Sequence, residues 1–266
     1  MQRILVTGAA GKIGRTLRDG LRNCYGLLRL SDIRPMATAG PGEECVTADL
    51  TDGSALREIT ASMDCIVHLG GIPTEASWQD VIDANIIGTA NLFEAARLSG
   101  VKRVVYASSN HVIGFYRNEL SVGTEDPVRP DSRYGISKAF GETVGRMYAD
   151  KHGMSVACLR IGSFRERPQS SRELSTWISP RDLVHLVRRC IDAPDYRYIT
   201  LYGVSANRRC RWAGNAAEFI GYHPQDDADM FASDFPSPSP ADTPEHMFHG
   251  GRLAGLEFTN DPDSIE

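Results

Sequence analysis

Arg3-Ile-Leu-Val-Thr7-Gly8-Ala-Ala-Gly11-Lys-Ile-Gly14 decides the fold of this chain. The apolar run from Arg3 to Thr7 stops at a glycine, as a buried parallel strand does. Ile13, Leu17 and Leu21 then recur at helical spacing from Lys12 to Arg22. Three glycines in the order GxxGxxG stand between strand and helix. Glycine lets the backbone turn sharply and come close to a pyrophosphate, and the helix N-terminus offers free N–H groups to the anion. The stretch is therefore expected to hold a dinucleotide.

Outward from this loop the pattern repeats. Leu27–Ser31, Cys45–Thr47, Asp64–Leu69, Arg103–Ala107 and Ser155–Ile161 read as further strands. Residues 53 to 59, Val81–Leu98 and Arg133–Lys151 read as helices between them. Short connections and strict alternation predict an α/β fold, a Rossmann-type doubly wound parallel sheet covered on both faces. Residues 1–165 form the expected dinucleotide-binding domain. Residues 166–266 form a small C-terminal substrate-binding region with a tail, not an independent domain. Within it, Pro180–Cys190 and Trp212–Ile220 read as helices and Tyr198–Tyr202 as a strand. The Pro-, Asp- and Ser-rich part from Tyr222 onward, including Pro236-Ser-Pro-Ser-Pro240, reads as ordered loops or a tail.

Asp32 ends the second strand, where a carboxylate can accept both ribose hydroxyls of an adenosine and repel a 2′-phosphate, which favours NAD over NADP. Arg34 pulls the other way, since it could pair with that phosphate. Asp49-Leu50 is placed to border the adenine, or Asp49 is a helix N-cap. Ser108, Ser109, Asn110 and His111 lie beyond the carboxyl end of the fifth strand, where open α/β sheets bind their ligands. Tyr134 and Lys138 are four apart on one helix, so an ammonium can sit beside a phenol and favour the phenolate. Such a tyrosine can take a proton from an alcohol. Arg160, Arg165, Arg167 and Arg172 surround the start of the irregular region, and a substrate carboxylate needs one forked guanidinium among them.

Composition excludes other classes. The chain has 266 residues, 41% hydrophobic and 24% charged, with a net charge of −5. Those are the proportions of an ordinary globular protein and give no reason to expect nucleic acid or an anionic membrane as partner. No apolar run reaches the roughly 18 residues of a spanning helix, and no secretory leader is evident, so a cytoplasmic protein is expected. Six dispersed cysteines without a CxxC pair read as reduced. His246-x-x-His249 lacks the Cys or acidic partners of a metal site, and no metal is expected.

Taken together, Thr7 to Gly14, Asp32, Asp49-Leu50, His68-Leu-Gly-Gly71, Asn85-Ile-Ile-Gly-Thr89, Ala107-Ser-Ser109 and Tyr134 to Lys138 resemble the extended short-chain dehydrogenase/reductase superfamily. A closer resemblance is to the bacterial uronate dehydrogenases. It rests on Ser108 to Tyr116, Arg129 to Lys138, Arg160-Ile-Gly-Ser163, Arg172 to Ser179 and a short C-terminal part. The resemblance implies that Ser109, Tyr134 and Lys138 are catalytic. Tyr134 would be the general base, Lys138 would lower its pKa and hold the nicotinamide ribose, and Ser109 would bond the reacting oxygen. It implies NAD contacts from Gly8, Gly11, Lys12, Ile13, Gly14, Asp32, Asp49, Leu50, Leu69, Gly70, Asn85, Ser108, Tyr134, Lys138 and Ile161. It implies substrate contacts from Thr74, Ser109, Asn110, His111, Tyr134, Ser163 and Arg172, with Arg172 on the carboxylate. The resemblance implies a serine soon after His-Leu-Gly-Gly; this chain reads Ile72-Pro73-Thr74, so either Thr74 substitutes, shifted by one residue, or that contact is lost.

The expectation is thus an NAD-dependent dehydrogenase that oxidises the anomeric carbon of hexuronic acids such as glucuronate and galacturonate to an aldarolactone, which opens to the aldaric acid. A homo-oligomer is implied by the resemblance. The alternatives are a nucleotide-sugar epimerase or dehydratase with tightly held NAD, and a non-catalytic NAD-sensing protein.

Overall fold

A computed structural model describes residues 2–214, 216–235 and 243–265. Seven strands build the main sheet: β1 (Arg3–Thr7), β2 (Leu27–Asp32), β3 (Glu43–Thr47), β4 (Cys65–His68), β5 (Arg103–Ser109), β7 (Ser155–Ile161) and β10 (Tyr198–Gly203). Their order is β10-β7-β5-β4-β1-β2-β3 and every pairing is parallel. Two short parallel pairs lie outside it, β6 (Val122–Gly123) with β11 (Trp212–Ala213), and β8 (Ser163–Phe164) with β9 (Trp177–Ile178).

The strands are apolar on both faces because both are covered. Ile4 and Val6 of β1 point into one core and Leu5 into the other. The first core is closed by Leu17 and Leu21 of α1 (Lys12–Leu21) and by Leu183 and Leu186 of a later helix, Pro180–Asp192. The second is closed by α2 (Gly53–Thr60), by Leu92 and Phe93 of a helix at Gly88–Leu98, and by Tyr148 of a helix at Arg133–His152.

The helix expected at Val81–Leu98 is more articulated than its periodicity suggests. It starts as α3 (Trp78–Val81), passes through a π-helical stretch (Ile82–Ile87) and continues as α4 (Gly88–Leu98). Next come α5 (Arg133–His152), α6 (Glu173–Thr176) and α7 (Pro180–Asp192). The helix expected from Trp212 is corrected: Trp212–Ala213 pairs with Val122–Gly123 as a strand, and only Ala216–Ile220, α8, is helical. The expected tail contains a 3-10 turn at Ala228–Asp234, α9 (Pro244–Met247) and α10 (Arg252–Gly255). Pro236 to Pro240 lie outside the described residues.

Register places the functional edge. Thr7 lies beside Ser31 and His68, and Ser109 beside Ile161. The segments after β1, β2, β4, β5 and β7 therefore all leave one edge of the sheet. The chain changes direction across β1, between β2 and β4, which opens the crevice where such sheets bind ligands.

Candidate active site

Two glycines at the loop after β1, Gly8 and Gly14, have no room for a side chain. Gly8 has φ +67°, and a Cβ there would lie 2.7 Å from the Leu69 carbonyl carbon. A Cβ at Gly14 would lie 2.5 Å from the Gly8 oxygen. Gly11 is the N-cap of α1, with no side-chain cap and no acidic residue in the first turn. The helix N-terminus is thus left for an anion, with Lys12 exposed and Ile13 packed on the core. Asp32 is buried at the end of β2. Its carboxylate accepts from the N–H of Ala10 (2.9 Å), the N–H of Arg34 (2.9 Å) and Arg34 Nε (3.1 Å). Burial alone would raise its pKa, but these donors outweigh it and hold it below the usual value. Arg34 is therefore paired with Asp32 in this chain. The tight loop, the open helix end and the ionised carboxylate fit a dinucleotide.

Asp49 is exposed and closes its own turn, accepting from the Thr51 N–H (2.8 Å) and hydroxyl (2.9 Å). The N-cap of α2 is Asp52, not Asp49. Leu50 packs over two glycines: a Cβ at Gly70 would lie 2.9 Å from its Cδ1, and one at Gly88 2.7 Å from its Cβ. Leu69 and Gly70 lie against the glycine loop. His68 behind them bonds Thr7 Oγ1 (2.8 Å) and Thr89 Oγ1 (3.3 Å), and burial, helped by Lys138, lowers its pKa to about 3. Asn85, in the π-helical stretch, accepts from the Ile72 N–H (2.7 Å) and donates to the Ile72 carbonyl (3.1 Å) and Ser137 Oγ (2.9 Å). Its amide ties the loop after β4 to α5. Ser108 turns away from the loop: its hydroxyl donates to Glu142 (2.6 Å), which also receives Arg160 Nε (3.0 Å) and Nη2 (2.9 Å). The Ser108 side chain is thereby committed to a buried ionic network.

Ser132 caps α5 by accepting from the Gly135 N–H (3.0 Å), which starts the helix so that Tyr134 falls in its first turn and Lys138 one turn on. Lys138 Nζ is 5.6 Å from the Tyr134 ring centroid and 5.1 Å from that of Tyr106. Ser109 lies close enough to the Tyr134 phenol to lower its pKa. Burial raises the phenol to about 12 against that lowering effect, with Asp131 adding to the rise, and burial lowers Lys138 to about 8. Desolvation is thus the largest influence on both groups, and it opposes the lowering of the phenol expected from Lys138.

The string Ser109-Asn110-His111 joins this trio to a cation. Asn110, with its amide oriented to satisfy both neighbours, donates to the Ile161 carbonyl (3.2 Å) and accepts from Arg172 Nη2 (3.1 Å). Arg172 also donates through Nε to the His249 carbonyl (3.1 Å). His111 meets Tyr134 edge-on at 5.8 Å between rings, and its Nδ1 bonds the buried Asp131 carboxylate at 2.7 Å. Ser163, at the start of β8, shares a hydrogen bond (3.0 Å) with Thr176, the last residue of α6. Thr74 is exposed on the loop after β4.

Sequence reasoning missed the residues that hold this set in place. Asp131 orients His111. Glu75 accepts from the Tyr134 N–H (3.0 Å) and from Arg133 Nη1 (2.5 Å), bracing the start of α5. Glu142 stands four residues after Lys138, a spacing that marks a shared helix face and could have found it. Nothing local marks Asp131 or Glu75, because their partners are distant in sequence. Of the histidine pair, His246 is exposed on Thr243, while His249 accepts from Trp212 Nε1 (3.2 Å) and bonds the Leu120 carbonyl (3.2 Å). No cluster able to hold a metal occurs among the described residues.

Comparison with known proteins agrees with this fold. The model of the NAD dependent epimerase/dehydratase family matches residues 4–180. The chain is 44% identical over 255 residues to the uronate dehydrogenase of Pseudomonas putida, covering 95% of each. It is 44% identical over 262 residues to that of Agrobacterium fabrum, covering 98% of each. Its fold matches a mutant uronate dehydrogenase of Agrobacterium tumefaciens complexed with NAD at TM-score 0.93 and 42% identity, over 98% of this chain and 100% of that one.

Proposed function

The chain belongs to the NAD dependent epimerase/dehydratase family, and on that footing we propose that it is an NAD-dependent uronate dehydrogenase. It oxidises the anomeric carbon of hexuronic acids to the aldarolactone. One observation carries the choice of substrate. Three consecutive residues after β5 carry both functions: Ser109 and His111 meet Tyr134, and Asn110 between them accepts from Arg172. A cyclic uronate carries its anomeric hydroxyl and its carboxylate on either side of the ring oxygen, so a base at one end and a forked cation at the other match it.

Tyr134 takes the proton of the anomeric hydroxyl, Ser109 holds that oxygen, and Lys138 supplies positive charge beside the phenol. Bound NAD supplies the acceptor for the hydride of the anomeric carbon. Gly8, Gly11, Lys12, Ile13 and Gly14 would hold its pyrophosphate and Asp32 its adenosine ribose. Leu50, Leu69, Gly70 and Ile161 would line its cleft, Asp49 and Asn85 would support that lining, and Ser108 would contribute its backbone. Asn110, His111, Ser163, Thr74 and Arg172 would hold the sugar acid, so the region beyond residue 165 adds Arg172 to a site otherwise built on segments that leave the sheet. The reading also makes the enzyme a cytoplasmic homo-oligomer; no helix among the described residues is long and apolar enough to cross a membrane, and Ile136 and Met147 of α5 are exposed.

The test is absorbance of NADH with the purified protein, NAD and a panel of galacturonate, glucuronate, neutral hexoses and UDP-sugars. NADH is expected with the uronates and at far lower rates with neutral hexoses. Redox-neutral turnover of a UDP-sugar without NADH release would instead mark an epimerase.

A further inference from the structure

The segment that holds Arg172 lies almost 80 positions along the chain from it, in the stretch that reads as a tail. His249, Gly250 and Gly251 run between the Arg172 guanidinium and the buried Asp131 carboxylate. On one side, the His249 carbonyl accepts from Arg172 Nε at 3.1 Å and also from Nη2. On the other, a Cβ at Gly250 would lie 1.8 Å from Asp131 Oδ2, the oxygen bonded to His111. Gly251 has φ +58° and ψ −132°, and a Cβ there would lie 2.6 Å from Arg172 Nε. Any side chain at either glycine displaces one of the two charged groups.

This strap is itself fastened. The His249 N–H donates to the Tyr116 carbonyl (2.9 Å) and the Gly250 N–H to the Gly114 carbonyl (2.8 Å), on the loop that follows β5. The buried His249 ring accepts from Trp212 Nε1 and so keeps its other nitrogen protonated toward the Leu120 carbonyl. Further along, Glu257 pairs with Arg133 (2.8 Å), the residue before Tyr134.

We propose that the strap His249–Gly251 is a specificity-determining element that aims the Arg172 guanidinium at the substrate carboxylate, so that the C-terminal segment completes the active site. This rests on the uronate reading above. With Nε and Nη2 anchored on His249 and Asn110, the guanidinium plane is fixed and Nη1 has no protein partner among the described residues. A fixed guanidinium loses little freedom on meeting a carboxylate, whereas a loose one must be ordered first. On its Arg172 side, at His249 and Gly251, the strap therefore acts on binding of the carboxylate and touches none of Ser109, Tyr134 and Lys138.

The test compares wild type, Gly251→Ala and Trp212→Phe as full-length proteins. Trp212→Phe keeps the stack on Tyr202, at 5.1 Å between rings, and removes the donor to His249. In Gly251→Ala the KM for galacturonate is expected to rise about tenfold or more, the scale of a charge-assisted hydrogen bond. Its kcat and its affinity for NAD by calorimetry should stay within about twofold of wild type. Trp212→Phe should show a smaller rise in KM with the same split. Unchanged KM in both folded variants overturns the proposal, as does a fall in kcat and NAD affinity parallel to the rise in KM. Should Gly251→Ala fail to fold, Trp212→Phe decides alone. Wild type that makes no NADH with any uronate would instead sink the substrate reading.

Discussion

Tyr134 shows how little a spacing says about a pKa. Four residues of helix bring Lys138 to its ring, as the sequence led us to expect, yet burial raises the phenol to about 12 and Ser109 supplies the opposing pull. The chain on its own thus holds its base protonated at neutral pH. Replacing Tyr134 with Phe keeps the ring against His111 and removes the proton acceptor. Turnover should fall by about 10²–10⁴-fold, the usual worth of a positioned general base, while calorimetry shows NAD bound as before. Full activity in that variant would remove Tyr134 from the chemistry. Asp32 was legible for a simpler reason: a carboxylate at the end of the second strand needs only the strand to be placed.

At the scale of elements, Glu142 of α5 holds three pieces of the site together. It receives Ser108 from β5 and Arg160 from β7, next to Ser109 and Ile161 respectively. Both members of the Glu142–Arg160 pair are almost fully buried, with side chains 7% and 3% exposed. Removing one charge from such a pair leaves the other unpaired in a dry interior, which costs about 3–5 kcal/mol. Glu142→Gln should therefore lower the urea midpoint strongly, and Ser108→Ala, which deletes one neutral donor, should cost only about 1 kcal/mol. Equal small losses in both would show that the network contributes little. The π-helical stretch at Ile82–Ile87 belongs to this scale too. Apolar periodicity reads it as ordinary helix, because a single widened turn hardly disturbs the pattern. What the widening accompanies is the Asn85 clamp on Ile72 and Ser137, whose partners lie 13 and 52 residues away.

The whole molecule carries two histidines buried in neutral form, one on each side of the site. Burial, with Lys138 nearby, lowers His68 to about 3, and burial lowers His249 to about 4, each from an ordinary value of 6.5. Unfolding lets both take up protons below that ordinary value, so the stability they contribute is present above it and is lost as the pH falls toward the folded values. The loss approaches about 1.4 kcal/mol per pH unit for each histidine. The melting temperature should therefore drop between pH 6.5 and 4.5, above the range in which most carboxylates titrate. A flat profile there would mean that the two rings are solvated. The sequence by itself determined the strand and helix succession, the glycine loop, Asp32 at the end of its strand and the Tyr134–Lys138 pair, because each is written in local period or short spacing. Only the tertiary structure decided the direction of Ser108, the bracing by Glu75 and Asp131, and the role of residues 249–251. Those depend on which distant backbone groups a polar side chain meets once water is excluded, and no local pattern encodes such a meeting.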